Sequence, residues 1–367
     1  MSAPGVDVGL DGAVPRPRVA DRARAGRTVR AGRGLSVRVE GRTVTVCVVL
    51  LALLAAVVAV SLTTGDYPIS VPDVLRTLAG RGDRAEEFIV TGLRLPRVVT
   101  GLLVGVALGV AGAVFQLVTR NPLGSPDVIG FTSGAVTGAL VVLLVLQLGG
   151  WSVSFGALAG GGLTAVLVHL LSRRGGVQGY RLILVGIGAS AVLQAVNSYL
   201  LTRARVEDAQ GAQLWIAGSL NGRGWEQAAP LGAGLVLLLP VLLVAGRSLT
   251  LLDLGDDAAR ALGLDVGRTR GLVLVLATAL TALAAMAAGP IAFVALAAPQ
   301  IARRLTGAVG AGLVAAGLTG ALMLLVSDLA AQRVFAPTQL PVGVVTGAVG
   351  GLYLAWLLVS QWRRGRG

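Results

Sequence analysis

Side chains able to do chemistry are scarce in this 367-residue chain, and what is missing narrows its function before any motif is read. There is one histidine, His169, and one cysteine, Cys47. Nucleophilic or metal-assisted catalysis needs His, Cys or carboxylate groups converging on one point, so no catalytic residue, metal site or cofactor is expected. Cys47 stands alone, which excludes a disulfide framework and leaves packing as its expected role. All 31 basic residues are arginine. Without lysine there is no glycine-rich phosphate loop of the Lys-Ser/Thr type, so the chain cannot be its own ATPase. Asp328 is the one carboxylate placed well inside an apolar run. It reads as an ion site of the kind that couples transport to a gradient, or as an ion-pair partner of nearby Arg333. Ser190, Gln194 and Asn197 recur at helical spacing and form a polar stripe on an otherwise apolar segment. That stripe either bonds to neighbouring helices or faces a water-filled passage.

The elements that must position these residues are membrane helices. Hydrophobic residues make up 54% of the chain, charged residues 13%, and the mean hydropathy is +0.80. Apolar blocks long enough to cross a hydrocarbon core of about 30 Å recur throughout. Spans are expected at Val44–Thr64, Val98–Val118, Val128–Leu148, Ser152–Ser172, Tyr180–Leu201, Ala228–Gly246, Gly271–Ala288, Pro290–Leu305, Ala311–Ala331 and Pro341–Ser360. The fold class is therefore all-α integral membrane, about ten transmembrane helices in one bundle. The span with Pro290 and Pro299 is short, and a half-span or kinked helix is expected there.

Placing both termini in the cytoplasm puts most of the arginines on the inner side, as the positive-inside rule requires. The net charge of +13 is accounted for in this way without a nucleic-acid partner. Residues 1–42 are rich in Arg, Gly and Pro and read as a disordered cytoplasmic tail lying against anionic lipid. Residues 43–367 form the ten-helix transmembrane domain, within which 248–270 is the longest internal cytoplasmic loop. No cleavable signal precedes the first span. Glycine, with 53 copies, marks close helix packing: Gly101, Gly105 and Gly109 share one face, as do Gly134 and Gly138.

Several segments then become specific. Leu93-Arg94-Leu95-Pro96-Arg97 leads into the second span, Gly112-Ala113-Val114-Phe115-Gln116 lies inside it, and Arg120-Asn121-Pro122-Leu123-Gly124-Ser125-Pro126 follows. Trp215-Ile216-Ala217-Gly218-Ser219-Leu220, Gly289-Pro290-Ile291-Ala292-Phe293-Val294 with Pro299 and Arg303, and Leu340-Pro341-Val342-Gly343-Val344-Val345-Thr346 complete the set. In this order the chain resembles, almost end to end, the permease family of iron–siderophore, haem and vitamin B12 importers of the ATP-binding-cassette type. It departs at Gln300, where many relatives carry histidine, and at Gly350-Gly351-Leu352-Tyr353. Phe335-Ala336-Pro337-Thr338 and Asn221-Gly222-Arg223-Gly224-Trp225 look most like the catecholate-siderophore branch, the ferric enterobactin type.

The resemblance implies a multi-pass subunit of the cytoplasmic membrane with no enzymatic activity of its own. Its partners would be ATPase subunits, a second permease and an extracytoplasmic siderophore-binding protein. The catecholate-like branch commonly pairs two different permeases, which favours a heterodimer. Leu254, Gly255, Asp256, Asp257, Ala258, Ala259, Leu262 and Gly263 match the coupling helices that dock on the ATPase. Arg94, Arg97 and Arg333 match positions that meet glutamates of the binding protein. Anchoring of Arg94 and Arg97 at headgroups, with Arg333 held by Asp328, is the other reading. Ser190, Gln194 and Asn197, with Gly343 and Gly347, are the expected walls of the translocation path. Vitamin B12 or haem cargo remains open, as does an ion-coupled secondary transporter.

Overall fold

The computed structural model describes residues 27–31, 35–172, 179–307, 310–334, 336 and 338–364. It divides into two units, Met1–Gly41 and Arg42–Gly367. In the first, β1 (Arg27–Ala31) and β2 (Leu35–Val39) pair antiparallel with Val29 opposite Val37. This corrects the expectation of disorder for that part of the tail. Thr28, Val29, Val37 and Val39 are β-branched, a side-chain type that suits a strand better than a coil. The remainder of the expected disordered tail, residues 1–26 and 32–34, lies outside the described residues.

The second unit is helical. After α1 (Gly41–Thr63) come the short α2 (Val71–Leu78) and α3 (Arg84–Glu87), a π-helical stretch Phe88–Arg94, and α4 (Leu95–Thr119). A 3₁₀ turn, Pro126–Ile129, leads to α5 (Phe131–Leu140), which continues as a π segment, Val141–Val145. Next are α6 (Trp151–Ser172), α7 (Gly179–Arg203), α8 (Val206–Ile216) and α9 (Trp225–Val244). The chain ends with α10 (Gly246–Asp253), α11 (Asp256–Ala261), α12 (Val266–Ala288), α13 (Val294–Thr306), α14 (Leu313–Arg333) and α15 (Val342–Arg364).

Among the described residues, seven helices are long and apolar enough to cross a membrane, and Phe131–Val145 and Val342–Trp356 are shorter apolar helices. Every expected span coincides with a helix. The second runs on upstream: Arg84–Thr119 is one continuous rod of 36 residues, because the π stretch joins α3 to α4. The eighth is cut short. Gly289 has φ +75°, Pro290 has no amide hydrogen to donate, and Phe293 is left-handed at φ +68°, so helix resumes only at Val294. At 13 residues α13 is about 20 Å long, less than a hydrocarbon core.

The centre of the unit is α4. It packs along α14 backbone to backbone: a methyl added at Gly105 would overlap Ala321, and one at Gly109 would overlap the Ala316 carbonyl. Gly112 abuts the Ala295 carbonyl of α13 in the same way. The pairing of α5 with α6 repeats the device, with Gly134 against Gly160 and Gly138 against Gly156. Gln116 donates to the Leu296 carbonyl (2.9 Å), tying α4 to α13, and Ser154 of α6 donates to the Met286 carbonyl of α12 (3.0 Å). Cys47 is partly buried against this core, which fits the packing role expected of it.

Candidate functional site

Three places bring together residues that the sequence marks, beginning with a cleft of about 700 Å³ beside α7. Ser190 and Gln194 line it from α7, Ser125, Asp127 and Thr132 from the turn before α5, and Phe293 from the break before α13. Its lining is mainly apolar side chain with hydroxyl, amide and one carboxylate groups, and carries no basic residue. Ser190 Oγ has no hydrogen-bond partner among the described residues. Asp127 accepts from the Thr132 hydroxyl.

The polar stripe therefore divides. Ser190 and Gln194 face the cleft, whereas Asn197 is buried against α5, accepting from Thr137 Oγ1 (2.7 Å) and donating to the Ser133 carbonyl (3.3 Å). Of the two roles that the spacing leaves open, bonding to a neighbouring helix falls to Asn197. Gly343 and Gly347 do not line this cleft. The Gly343 amide donates to the Gly218 carbonyl (3.1 Å) and its Cα abuts the Ala217 carbonyl, so it packs α15 on the loop after α8. Nothing lies within 4 Å of a Cβ built on Gly347. The sequence does not mark Asp127 or Phe293 as cleft residues, because a 3₁₀ turn and a left-handed residue carry them there. The Ser-Pro-Asp triplet just ahead of an apolar run is the one signal that pointed there.

The second place is the Leu95 end of α4. Arg97 grips Asp328 of α14 with two hydrogen bonds, Nε to Oδ2 at 2.9 Å and Nη2 to Oδ1 at 2.8 Å. The pair is buried, with the aspartate side chain 5% exposed and the arginine 16%. Gln332 Nε2 donates a further bond to Oδ2 (2.8 Å). Asp328 is thus held by Arg97 and Gln332, not by Arg333. Arg333 is one helical turn and a residue beyond it, on the exposed side of α14, while Arg97 on the facing helix presents its planar edge directly. Arg94 donates to the Leu62 carbonyl (2.6 Å) and to the Tyr67 carbonyl, joining α4 to the end of α1. Of the three arginines matched to binding-protein docking, Arg333 is exposed, Arg94 is half-buried and Arg97 is committed to Asp328.

The third place is the segment between α9 and α12. Gly255, at φ +115°, turns the chain into α11. Ala259 is fully buried and packs with Leu252 and Val266, while Leu254 and Leu262 are 61% and 62% exposed. Asp256 faces inward. Arg120, the residue that ends α4, and Arg270 of α12 both donate to its carboxylate, Arg270 at 2.8 Å. Arg260 stands at 3.9 Å, and Arg120 Nε also reaches the Leu252 carbonyl (3.2 Å). Burial pushes the Asp256 carboxyl up, but hydrogen bonds and charge from Arg270 and then Arg120 outweigh it and hold it below the ordinary carboxylate range. The sequence marks Asp256 as a helix N-terminal residue; its arginine partners come from distant segments and are not legible there. Gln300 donates to the Pro122 carbonyl (2.7 Å), tying α13 to the turn after α4.

No group of three or more His, Cys, Asp or Glu able to hold a metal occurs among the described residues. Comparison with known proteins supplies what geometry alone does not. Residues 53–360 match the model of the FecCD transport family. The chain is 44% identical over 326 residues to the ferric enterobactin transport system permease protein of Escherichia coli (strain K12), covering 89% of this chain and 99% of that one. It is 37% identical over 335 residues to the achromobactin transport system permease protein of Dickeya dadantii (strain 3937), covering 90% and 95%. Among solved structures, an inward-facing conformation of a metal-chelate type ABC transporter superposes with a TM-score of 0.78 at 28% identity, covering 86% of this chain and 99% of that one.

Proposed function

Because the chain belongs to the FecCD transport family, a family of multi-pass membrane permeases, we propose that it is the membrane subunit of an ATP-driven importer of ferric siderophores of the catecholate class. The observation that carries this is the 44% identity, spanning almost the whole of both chains, with a permease named for ferric enterobactin. A metal that arrives wrapped in its chelator needs no protein ligands, and a mainly apolar cleft with few polar groups suits passage rather than tight capture.

Both termini lie in the cytoplasm in this reading, so the Arg97 end of α4 is outer and the Arg120 end inner. A separate ATPase docks on the α10–α11 segment, where exposed Leu254 and Leu262 flank Asp257 on a surface otherwise rich in charge. The binding protein meets the outer face at Arg333 and Arg94, with Arg97 setting the position of α4 beneath them. A second permease covers α7, only 17% of whose apolar window is buried in this chain, and Ser190 and Gln194 then face the path between the two. A related but different permease is the favoured second half. An ion-coupled transporter loses its chief support, since Asp328 is locked to Arg97.

The test is uptake of iron-55 bound to catecholate or hydroxamate chelators in cells with and without the gene, with the proton gradient collapsed while ATP is maintained. Catecholate uptake that needs the gene and survives gradient collapse is expected. Gene-dependent uptake that stops with the gradient would refute ATP drive, and hydroxamate preference would refute the cargo class.

A further inference from the structure

Each end of α4 is fastened by an arginine–aspartate tie, and the two ties differ in what they fasten. At the outer end Arg97 holds Asp328, which belongs to the neighbouring membrane helix. At the inner end Arg120 holds Asp256, which belongs to α11, the six-residue helix on the proposed ATPase surface. The two arginines are about 35 Å apart along one helix at 1.5 Å per residue. Between them the rod is stiffened by backbone contact: Gly105 and Gly109 lie on α14, and Gly112 lies on α13. Contacts of this kind leave no flexible side chain to absorb displacement.

Asp256 does not belong to the face that α11 offers outward. Leu254, Leu262 and Asp257 are exposed, whereas Asp256 turns in toward Arg120 and Arg270, and Arg270 is itself buried. Arg120 adds a second attachment through the Leu252 carbonyl of α10. The inner end of α4 is thus bonded to both short helices of the segment and, through the shared carboxylate, to the start of α12.

We propose that Asp256, with Arg120 and Arg270, is the positioning joint that transmits movement of the ATPase-docking segment into α4, and that α4 carries it as a rigid rod toward the outer face. This rests on the importer reading above. Docking and transmission then fall to different residues of one short segment: the exposed leucines hold the ATPase, and the inward aspartate moves the helix. Without the joint the ATPase stays bound and its cycle no longer shifts the path. Rigid helices joined through salt-bridge and hydrogen-bond networks are among the elements that carry coupling between distant sites.

The test uses the full importer, this chain with its second permease, ATPase and binding protein, reconstituted in proteoliposomes. Two quantities are read: retention of the ATPase on purification, and iron-55 chelate imported per ATP hydrolysed. Asp256→Asn is expected to retain the ATPase while import per ATP falls roughly tenfold, the upper range for a residue that modulates coupling between sites. Asp256→Glu keeps most of the coupling. Arg120→Gln falls to a similar extent, and combining it with Asp256→Asn adds little, because both remove the same tie. Leu262→Asp does the reverse and loses the ATPase.

Wild-type import per ATP in both Asp256→Asn and Arg120→Gln, with Leu262→Asp still losing the ATPase, would overturn the joint and leave the docking surface standing. If Leu262→Asp retained the ATPase, the docking surface itself would fall and the joint with it. Loss of the ATPase in both Asp256→Asn and Arg120→Gln would also overturn the proposal, by making this corner part of the docking surface.

Discussion

α4 and α7 are both apolar helices of membrane-crossing length, yet the apolar window of the rod containing α4 is 78% buried within this chain and that of α7 17%. The difference lies in what each presents. α4 offers glycine faces, and its neighbours come to backbone contact at Gly105, Gly109 and Gly112. α7 offers Ile187, Val192 and Val196, all exposed, beside a stripe of small polar groups. Hydropathy passes both as candidates to cross a membrane, with mean values of 2.4 for the rod and 1.5 for α7, and does not say what covers them. Burial separates a helix that organises its own chain from one that waits for something outside it.

That contrast is open to experiment, most severely at Gly112, where any Cβ overlaps the Ala295 carbonyl. Gly112→Ala should abolish accumulation of folded protein, measured by monodisperse recovery from detergent, whereas Gly188→Ala on α7, with open space around it, should not. Next comes Asp328→Asn, which leaves the Arg97 guanidinium buried without its counter-charge. Loss of one partner of a buried pair costs about 3 kcal/mol or more, seen as a large drop in thermal unfolding temperature. Asn197→Ala on α7 removes two interhelical hydrogen bonds to α5 and should cost about 0.6 kcal/mol for each, while Gln194→Ala, facing the cleft, should leave stability unchanged.

The smallest expected effect concerns pH. The folded Asp256 carboxyl sits below its unfolded value, so the tie it makes is fully present above the ordinary aspartate pKa of about 3.9. It is lost only as pH falls through the lower folded value. Import per ATP should therefore stay flat when the pH on the ATPase side is lowered from about 7.5 to about 5, in so far as Asp256 governs it. A steep decline over that interval would transfer the sensitivity to another group.

Much of the architecture was legible in the sequence because membrane helices are written locally. A run such as Val98–Val118 has to satisfy its backbone internally, and each expected block is a helix. The interrupted eighth span was legible for the same reason, since Gly289 and Pro290 are local punctuation. The ties were not. Arg97 and Asp328 lie on helices far apart in the chain, and choosing Arg97 over Arg333 requires knowing that α4 and α14 meet along their glycines. Asp127 escaped because its place at the cleft depends on a 3₁₀ turn. The strands Arg27–Ala31 and Leu35–Val39 escaped because each is only five residues long and composition averages over its few β-branched side chains.

Arg120 closes α4 in the left-handed region, φ +49°, a conformation that glycine adopts freely and that costs an arginine on the order of 1 kcal/mol. The position therefore sets two searches against each other. A variant library sorted for heat resistance should collect Arg120→Gly, which relieves the backbone. The same library sorted for growth on scarce iron should discard it, because the side chain that strains the turn is the one that reaches Asp256.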